Sequence, residues 1–229
     1  MCGRFERHST LAEFSEVIEG LVADGPDLLR PSYNIAPSQQ ALIVRATSGT
    51  HTAAALQWGL APAWVKDPKM TRPINARAET VHERPMFRGP FRHQRCLVLC
   101  DGYYEWQKQP GGRKQPYYLG LADNTPFVLA GLWSLNTQLT GEALETFCIV
   151  TTEATAAASE IHARMPVVLP RPVHSDWLDP AVSDTDMVRE LMARHQADLR
   201  SYPVSTFVNS PANNSADCVV PLAEHQSAS

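Results

Sequence analysis

The second residue of the chain, Cys2, carries the most distinctive chemistry in this sequence. Methionine aminopeptidases remove an initiating methionine when the next side chain is small, so we expect Cys2 to become the first residue. It then carries a free α-amine and a thiol on neighbouring carbons. An α-amine with a pKa of roughly 7.7–8.0 is partly neutral at pH 7 and attacks aldehydes to form a Schiff base. The thiol can close on the imine carbon to give a five-membered thiazolidine, and this step is favoured because it is intramolecular.

The residues after Cys2 suit a reaction at this position. Gly3 has no side chain and allows a close approach to the backbone, and Arg4 can bind a phosphate. A methionine–cysteine start taken alone is more often without a chemical role. The other candidate residues therefore decide whether Cys2 is a reactive residue or has no chemical role.

A second candidate is Glu105, which follows the apolar run 97–100 and a turn and stands among aromatic residues. Aromatic neighbours can partly desolvate a carboxyl group and raise its pKa toward the range useful for acid–base catalysis. The alternative is a glutamate on an edge strand that faces water, and periodicity alone favours this alternative.

Two further polar residues stand at predicted boundaries of secondary structure. Asn75 lies where a strand or loop passes into a predicted helix, so it either caps that helix or presents its amide to a substrate oxygen. Its position alone favours the cap. His162 precedes an apolar run and can donate a proton near neutral pH, although a single histidine is more often structural.

The charge of the chain gives two opposite indications about nucleic acid. The net charge is −4, which by itself disfavours a nucleic-acid partner. One short stretch, however, is rich in arginine and contains no lysine, and arginine suits bidentate phosphate contacts and stacking on bases. The alternative is a solvated face with scattered ion pairs. The arginines of this stretch are Arg72, Arg77, Arg84, Arg88, Arg92 and Arg95.

The pattern of cysteines predicts neither a disulfide framework nor a metal site. The chain has 5 cysteines, an odd number, and its N-terminus lacks the apolar run of a signal peptide. No C-x-x-C pair or H-E-x-x-H motif provides the ligand spacing of zinc. No apolar run approaches the ~20 residues that span a bilayer. We therefore expect a cytoplasmic protein without metal or other cofactor, and without membrane contact.

Strand-like runs outnumber helical ones along the chain. Strands are predicted at 41–44, 53–58, 96–99, 117–121, 127–132, 146–151 and 167–169. A helix is predicted to begin after a capping box at Thr10–Glu13 and to continue to Val22, before Asp24-Gly25-Pro26; a second is predicted at 187–195. Without regular strand–helix alternation, we expect an α+β fold with a mixed or antiparallel sheet curled into a barrel-like core, surrounded by helices. One domain over 1–229 is expected, with a frayed tail from about Cys218.

Taken together, the ordered motifs of this chain resemble the SRAP (SOS response-associated peptidase) family. They span about residues 2–178, and each motif is weak alone whereas their joint occurrence is highly specific. The segment after Trp177 matches no motif of the family. The motifs are Met1-Cys2-Gly3-Arg4-Phe5, Tyr33-Asn34-Ile35-Ala36-Pro37, Trp58-Gly59-Leu60 with Pro62 and Trp64, Asn75-Ala76-Arg77-Ala78-Glu79-Thr80, Arg95-Cys96, Gly102-Tyr103-Tyr104-Glu105-Trp106, Ala130-Gly131-Leu132-Trp133 and Ile161-His162-Ala163-Arg164-Met165-Pro166.

The resemblance implies a thiazolidine crosslink between the N-terminal cysteine and the aldehyde of an abasic deoxyribose in single-stranded DNA. It assigns Cys2 as the nucleophile, Asn75 as a hydrogen-bonding residue near the reacting centre, Glu105 as the acid and base, and His162 as the donor to the sugar ring oxygen. The implied DNA contacts are Arg4, Arg77, Arg84, Arg88, Trp64 and Trp106. We expect a monomer that associates with the nucleoid on damage, with replication-fork proteins as further partners.

Two other functions stay open from the sequence. One is an N-terminal-nucleophile peptidase that uses Cys2 with His162 and Glu105. The other is a module that binds DNA without a covalent bond. Strand cleavage through the Schiff base also stays open as a side activity.

Overall fold

A computed structural model describes residues 2–23, 30–195 and 197–222 of the chain. The described chain is an α+β fold in which strands outnumber helices. The helices are α1 (Leu11–Val17), α2 (Arg88–His93), α3 (Ala156–Ser159), α4 (His174–Leu178) and α5 (Thr185–Ala193). The strands are β1 (Phe5–Arg7), β2 (Leu21–Ala23), β3 (Ser32–Ile35), β4 (Gln40–Thr47), β5 (Thr50–Trp58), β6 (Asn75–Arg77), β7 (Arg95–Cys100), β8 (Gly102–Lys108), β9 (Lys114–Leu121), β10 (Phe127–Asn136), β11 (Leu144–Glu153), β12 (Arg164–Pro166) and β13 (Leu199–Pro203).

The strands form two sheets. The smaller sheet has the order β13-β9-β8-β1-β3, and its neighbouring strands are antiparallel. The larger sheet has the order β12-β11-β10-β7-β4-β5-β2. It is mixed, because β11 pairs in parallel with β6 and with β5. The expected mixed or antiparallel sheet with helices around it is confirmed at this level.

Alternation along β7 shows how the layers are arranged. Every residue of β7 is buried, and successive side chains of a strand point to opposite faces. Leu97 and Leu99 pack in a core that also contains residues of α1, α4 and α5. Cys96, Val98 and Cys100 pack in a second core that contains residues of the smaller sheet. We call the second one the inter-sheet core; it includes Cys2, Phe5, Tyr103 and Leu119.

The outer face of the smaller sheet is covered by the C-terminal part of the described chain. Tyr104 and Tyr118 of this sheet pack there with Val204, Val208 and Cys218, a group that we call the outer cluster. Cys218 is buried, and Leu222 N–H donates to Pro203 O at 2.9 Å. The first residues of the predicted frayed tail are thus packed, and residues 223–229 lie outside the described part.

Most strand predictions are confirmed, and two element boundaries are wrong. The capping box at Thr10 and Glu13 is present, but the helix ends at Val17. Gly20 adopts φ +68°, a backbone conformation that suits glycine, and the chain then enters β2 with Leu21 and Val22. The predicted stop at 24–26 lies outside the described residues.

The strand predicted at 167–169 lies three residues earlier, at β12. Val168 forms only an isolated bridge, with Leu129 of β10, whereas Met165 pairs with Thr152 of β11. At this point the chain crosses from β11 to β10. The apolar run 167–169 is therefore buried, but the chain pairs with each of these strands over only a few residues. The helix predicted at 187–195 is α5. None of the described helices is long and apolar enough to cross a membrane.

Candidate active site

Cys2 is completely buried in the inter-sheet core. Its backbone carbonyl accepts a hydrogen bond from Asn75 Nδ2 at 2.8 Å. Asn75 begins β6 and pairs with Ile149 of β11, so it does not cap a helix, and the favoured interpretation of this residue is wrong. A short strand on the edge of β11 instead holds the asparagine amide against the N-terminal segment.

Glu105 lies on β8, which is flanked by β9 and β1. Its side chain is buried, with 4% of the residue exposed. The prediction of an edge-strand glutamate facing water is therefore wrong, because Glu105 pairs with Tyr117 of β9 and its side chain is buried. Burial raises the pKa of the Cys2 thiol well above its usual value, and the negative charge of Glu105 adds to this rise. The thiol is thus protonated at neutral pH in the resting protein.

His162 lies in the turn between α3 and β12 and is half-buried. The backbone N–H of Arg164 donates to His162 Nδ1 at 3.0 Å. The same nitrogen lies 3.3 Å from Arg164 O. The shorter contact, from the Arg164 N–H, is the one made by the tautomer that carries its proton on Nε2. Gln107 of β8 donates from Nε2 to Glu160 O at 2.8 Å. This bond fixes the histidine turn to the strand that carries Glu105.

Arg164, two residues after His162, holds β12 in place through an ion pair and a backbone hydrogen bond. Arg164 Nη1 and Nη2 donate to the two carboxylate oxygens of Glu79 at 2.6 and 3.0 Å. Hydrogen bonding to Arg164 lowers the pKa of Glu79. Arg164 also donates to Thr151 O at 2.6 Å, so the pair joins β12, β11 and the segment after β6.

Four of the predicted DNA-contacting residues lie around two adjoining grooves. Trp64 and Arg84 line the first groove with Asn75 and Arg77, and it has a volume of about 480 Å³. Trp64 also lines the second groove, of about 590 Å³, together with Arg88. Trp64 is 55% exposed, and the three arginines are exposed. The grooves therefore present cations and an aromatic surface beside a residue that contacts Cys2.

Arg4 and Trp106 lie elsewhere. Arg4 Nη1 donates to Asn34 Oδ1 at 2.7 Å and to Val208 O at 2.9 Å, and its guanidinium carbon lies 5.8 Å from the centre of the Trp106 ring. Trp106 Nε1 donates to Asn209 Oδ1 at 2.8 Å. Both side chains are thus at the outer cluster, on the face of the smaller sheet opposite the inter-sheet core.

The arginine-rich stretch does not form one surface. Arg95 is buried and donates to backbone carbonyl oxygens around α2 and α4. Arg72 donates to Gln57 Oε1 at 2.7 Å. A larger cavity, of about 740 Å³, lies next to α5, and its charged lining residues are Glu79, Asp186, Glu190 and a single cation, Arg189. Its charge makes it a poor site for phosphate, so we place the functional site at the smaller grooves.

Tyr103 is a site residue that the sequence analysis did not single out. It is completely buried in the same core as Cys2, and its hydroxyl has no hydrogen-bond partner among the described residues. The available signal was its spacing: Tyr103 is two residues before Glu105, and residues i and i+2 of a strand share a face.

Among the described residues, Glu6, His8 and Asp101 form a group with metal-ligand side chains, whose nearest atoms lie within 4.8 Å of one another. These atoms are already hydrogen-bonded within the protein. Glu6 Oε2 is 2.8 Å from His8 Nδ1, and Asp101 Oδ2 accepts from the backbone N–H groups of His8 and Ser9. The group therefore connects β1 to the β7–β8 turn.

Comparisons with known proteins show the family of this chain. A family model described as SOS response associated peptidase (SRAP) matches residues 1–211. Abasic site processing protein YoqW of Bacillus subtilis (strain 168) is 38% identical over 224 residues, covering 96% of this chain and 99% of that protein. Abasic site processing protein YedK of Escherichia coli (strain K12) is 31% identical over 229 residues, covering 97% and 100%. A crystal structure of a protein from Bacteroides thetaiotaomicron has a TM-score of 0.82 at 27% identity, covering 96% of this chain and 100% of that chain.

Proposed function

This chain belongs to the SRAP family, and from that premise we propose that it recognises abasic sites in DNA and crosslinks to them covalently through Cys2. The observation that carries the proposal is the placement of Cys2 near the buried Glu105. Asn75 holds the backbone carbonyl of Cys2 in this position. The two relatives described above, which are 38% and 31% identical to this chain, are named for the processing of abasic sites. An abasic deoxyribose opens to an aldehyde, which is the functional group that a 1,2-aminothiol captures.

The proposed reaction begins after removal of Met1. The neutral amine of Cys2 adds to the aldehyde carbon, and loss of water gives the imine. The thiol sulfur then bonds to the imine carbon while its proton passes, through the Glu105 carboxylate, to the imine nitrogen. The product is a thiazolidine, and the same steps in reverse release the DNA. Proton transfer by a positioned carboxylate contributes typically 10²–10⁴-fold to such steps.

The two other predicted catalytic residues have proposed roles that fit their hydrogen bonds. His162 donates from Nε2 to the sugar ring oxygen, which helps to open the hemiacetal. Asn75 Nδ2 holds the Cys2 backbone, and its Oδ1 accepts no hydrogen bond from the described residues. We assign this oxygen to a substrate hydroxyl. Strand cleavage from the imine competes with ring closure.

We propose that the DNA is single-stranded and follows the two grooves on either side of Trp64. Exposed arginines contact phosphates there, and the indole stacks on a base next to the lesion, a combination that binds single strands without reading their sequence. Arg4 and Trp106 would contact the strand only farther along its path, at the outer cluster. We also propose that the protein is a monomer and that it associates with replication-fork proteins and the nucleoid.

The domain organisation and the barrel-like core are likewise proposed. The pairs Thr146–Gln57 and Phe147–Trp58 join β11 to β5. β11 and β5 are the two end strands of the path β11-β10-β7-β4-β5, so their pairing supports a sheet curled into a barrel. The two sheets share the inter-sheet core, which supports one domain over the chain.

The proposal is tested by mixing the protein, with Met1 removal confirmed by mass, with single-stranded DNA that carries one abasic site. A denaturing gel should show a shifted band that requires the abasic site and is lost in Cys2→Ala. Cys2→Ser keeps the amine but has a poorer group for ring closure, so its adduct should be less stable. The absence of a band with wild-type protein would refute covalent capture and favour peptide cleavage or reversible DNA binding.

A further inference from the structure

A buried donor without an acceptor lies next to the proposed nucleophile. The Tyr103 side chain is fully buried, and its hydroxyl makes no hydrogen bond within the described residues. A buried polar group that is left unsatisfied destabilises the folded state, so native proteins rarely keep one without a reason. Phenylalanine would fill the same space without this unsatisfied hydroxyl.

Negative charge can develop close to this hydroxyl. Burial raises the pKa of Tyr103 well above its usual value, and the nearby Cys2 and Glu105 raise it further when they are ionised. The hydroxyl therefore keeps its proton across the physiological range and stays a donor. Strand pairing explains the proximity, since Tyr103 pairs with Phe5 of β1 and β1 begins three residues after Cys2.

We propose that the Tyr103 hydroxyl donates a hydrogen bond to the Cys2 sulfur as the thiol loses its proton and closes on the imine carbon. This role rests on the proposed crosslinking reaction. It makes Tyr103 a further catalytic residue, in contact with a reacting atom and transferring no proton itself. At a buried position, a fixed donor near developing charge stabilises the transition state strongly. The resting hydroxyl lacks an acceptor because its acceptor, the thiolate, forms only during the reaction.

The adjacent tyrosine provides a matched control. Tyr104 is equally buried, but it lies in the outer cluster and its hydroxyl donates to Tyr33 O at 2.7 Å. Changing either tyrosine to phenylalanine removes one buried hydroxyl from neighbouring positions of β8. The two variants therefore separate an effect on the reaction from an effect on folding.

The experiment compares wild type, Tyr103→Phe and Tyr104→Phe for urea unfolding and for the rate of crosslinking to abasic single-stranded DNA between pH 6 and 9. We expect Tyr103→Phe to be at least as stable as wild type and to crosslink about 10-fold more slowly at pH 7. Its pH–rate profile should move to higher pH, because the thiolate has lost a donor. Tyr104→Phe should be less stable and should react within about twofold of the wild-type rate.

Several outcomes overturn the inference. A wild-type rate and pH profile in Tyr103→Phe would remove the hydroxyl from the reaction. A marked loss of stability in this variant would show that the hydroxyl has a partner in the resting protein. Cys2 alkylation by iodoacetamide provides a readout without DNA and should also move to higher pH in Tyr103→Phe. If wild type forms no adduct, the proposed function fails, and the alkylation profiles still decide whether Tyr103 acts on Cys2.

Discussion

At the scale of single residues, Glu105 and the Cys2 thiol are linked by opposing effects of charge. Burial, and after it the charge of Glu105, raises the pKa of the thiol and so disfavours the thiolate in the resting protein. The same carboxylate can accept the thiol proton when the imine is present. In the proposed reaction, a buried base next to a protonated thiol limits unwanted thiolate chemistry and still allows capture of an aldehyde.

Replacing Glu105 with glutamine should separate these two effects. In Glu105→Gln the Cys2 thiol loses a neighbouring negative charge, so its alkylation should occur at lower pH than in wild type. Crosslinking or its reversal should slow by about 100-fold, because the proton acceptor is missing. Glu153→Gln, at the exposed end of β11, serves as the control. Unchanged crosslinking and reversal in Glu105→Gln would remove this residue from its assigned role.

At the scale of elements, Arg95 joins α2 and α4 to the start of β7. Its guanidinium donates to Phe91 O and Arg92 O at the end of α2, and to three carbonyl oxygens from Trp177 to Val182. Burial lowers the pKa of Arg95 to about 10. The carbonyl oxygens compensate for the lost water, and the two ends of α2 and α4 are held in place. Since Arg88 is the first residue of α2, this connection also positions one side of the second groove beside Trp64.

Lysine at position 95 should preserve the charge and lose most of this connection. Three donors on a flexible chain cannot reproduce a planar guanidinium that contacts five carbonyls. We expect Arg95→Lys to lower the free energy of unfolding by about 3 kcal/mol, measured by urea denaturation. Arg92→Lys, at an exposed position of the same helix, should change it by under about 0.5 kcal/mol. Equal stability of Arg95→Lys and wild type would mean that the carbonyl contacts contribute little.

At the scale of the whole molecule, a chain with net charge −4 presents its cations unevenly. Arg84 and Arg88 lie at the grooves beside Trp64, whereas the cavity next to α5 is lined by acidic side chains. A polyanion should therefore be attracted to the grooves and repelled from the acidic cavity. Local placement, rather than net charge, decides whether such a protein binds DNA.

The salt dependence of DNA binding should report this placement. With the crosslink blocked by Cys2→Ala, the affinity for single-stranded DNA, measured by fluorescence anisotropy, should fall as salt rises. Arg84→Gln and Arg88→Gln should each lower the slope of log affinity against log salt by about 1. Arg189→Gln, next to Asp186 on α5, should leave the slope unchanged. Equal slopes in all of these variants would place the DNA on another surface.

The sequence alone indicated the proposed chemistry and determined most of the regular structure. Cys2 after a removable methionine defines an aminothiol whatever the fold. Strands with strong apolar runs, such as β7 and β10, could be predicted because burial on both faces requires such runs. Short strands such as β1, β6 and β13 could not, because three to five residues carry too little periodicity.

Only the tertiary structure decided how the candidate residues are arranged. Periodicity shows that Tyr103 and Glu105 share a face of a strand, but not that a second sheet covers this face and buries Glu105. The contact between Asn75 and Cys2 depends on β6 pairing with β11, which is distant in sequence. The same long-range packing places Arg4 at the outer cluster and buries Arg95. Charge and residue type are local properties. The burial of a side chain, and the surface it faces, are set by strands and segments that pack against it from elsewhere in the chain.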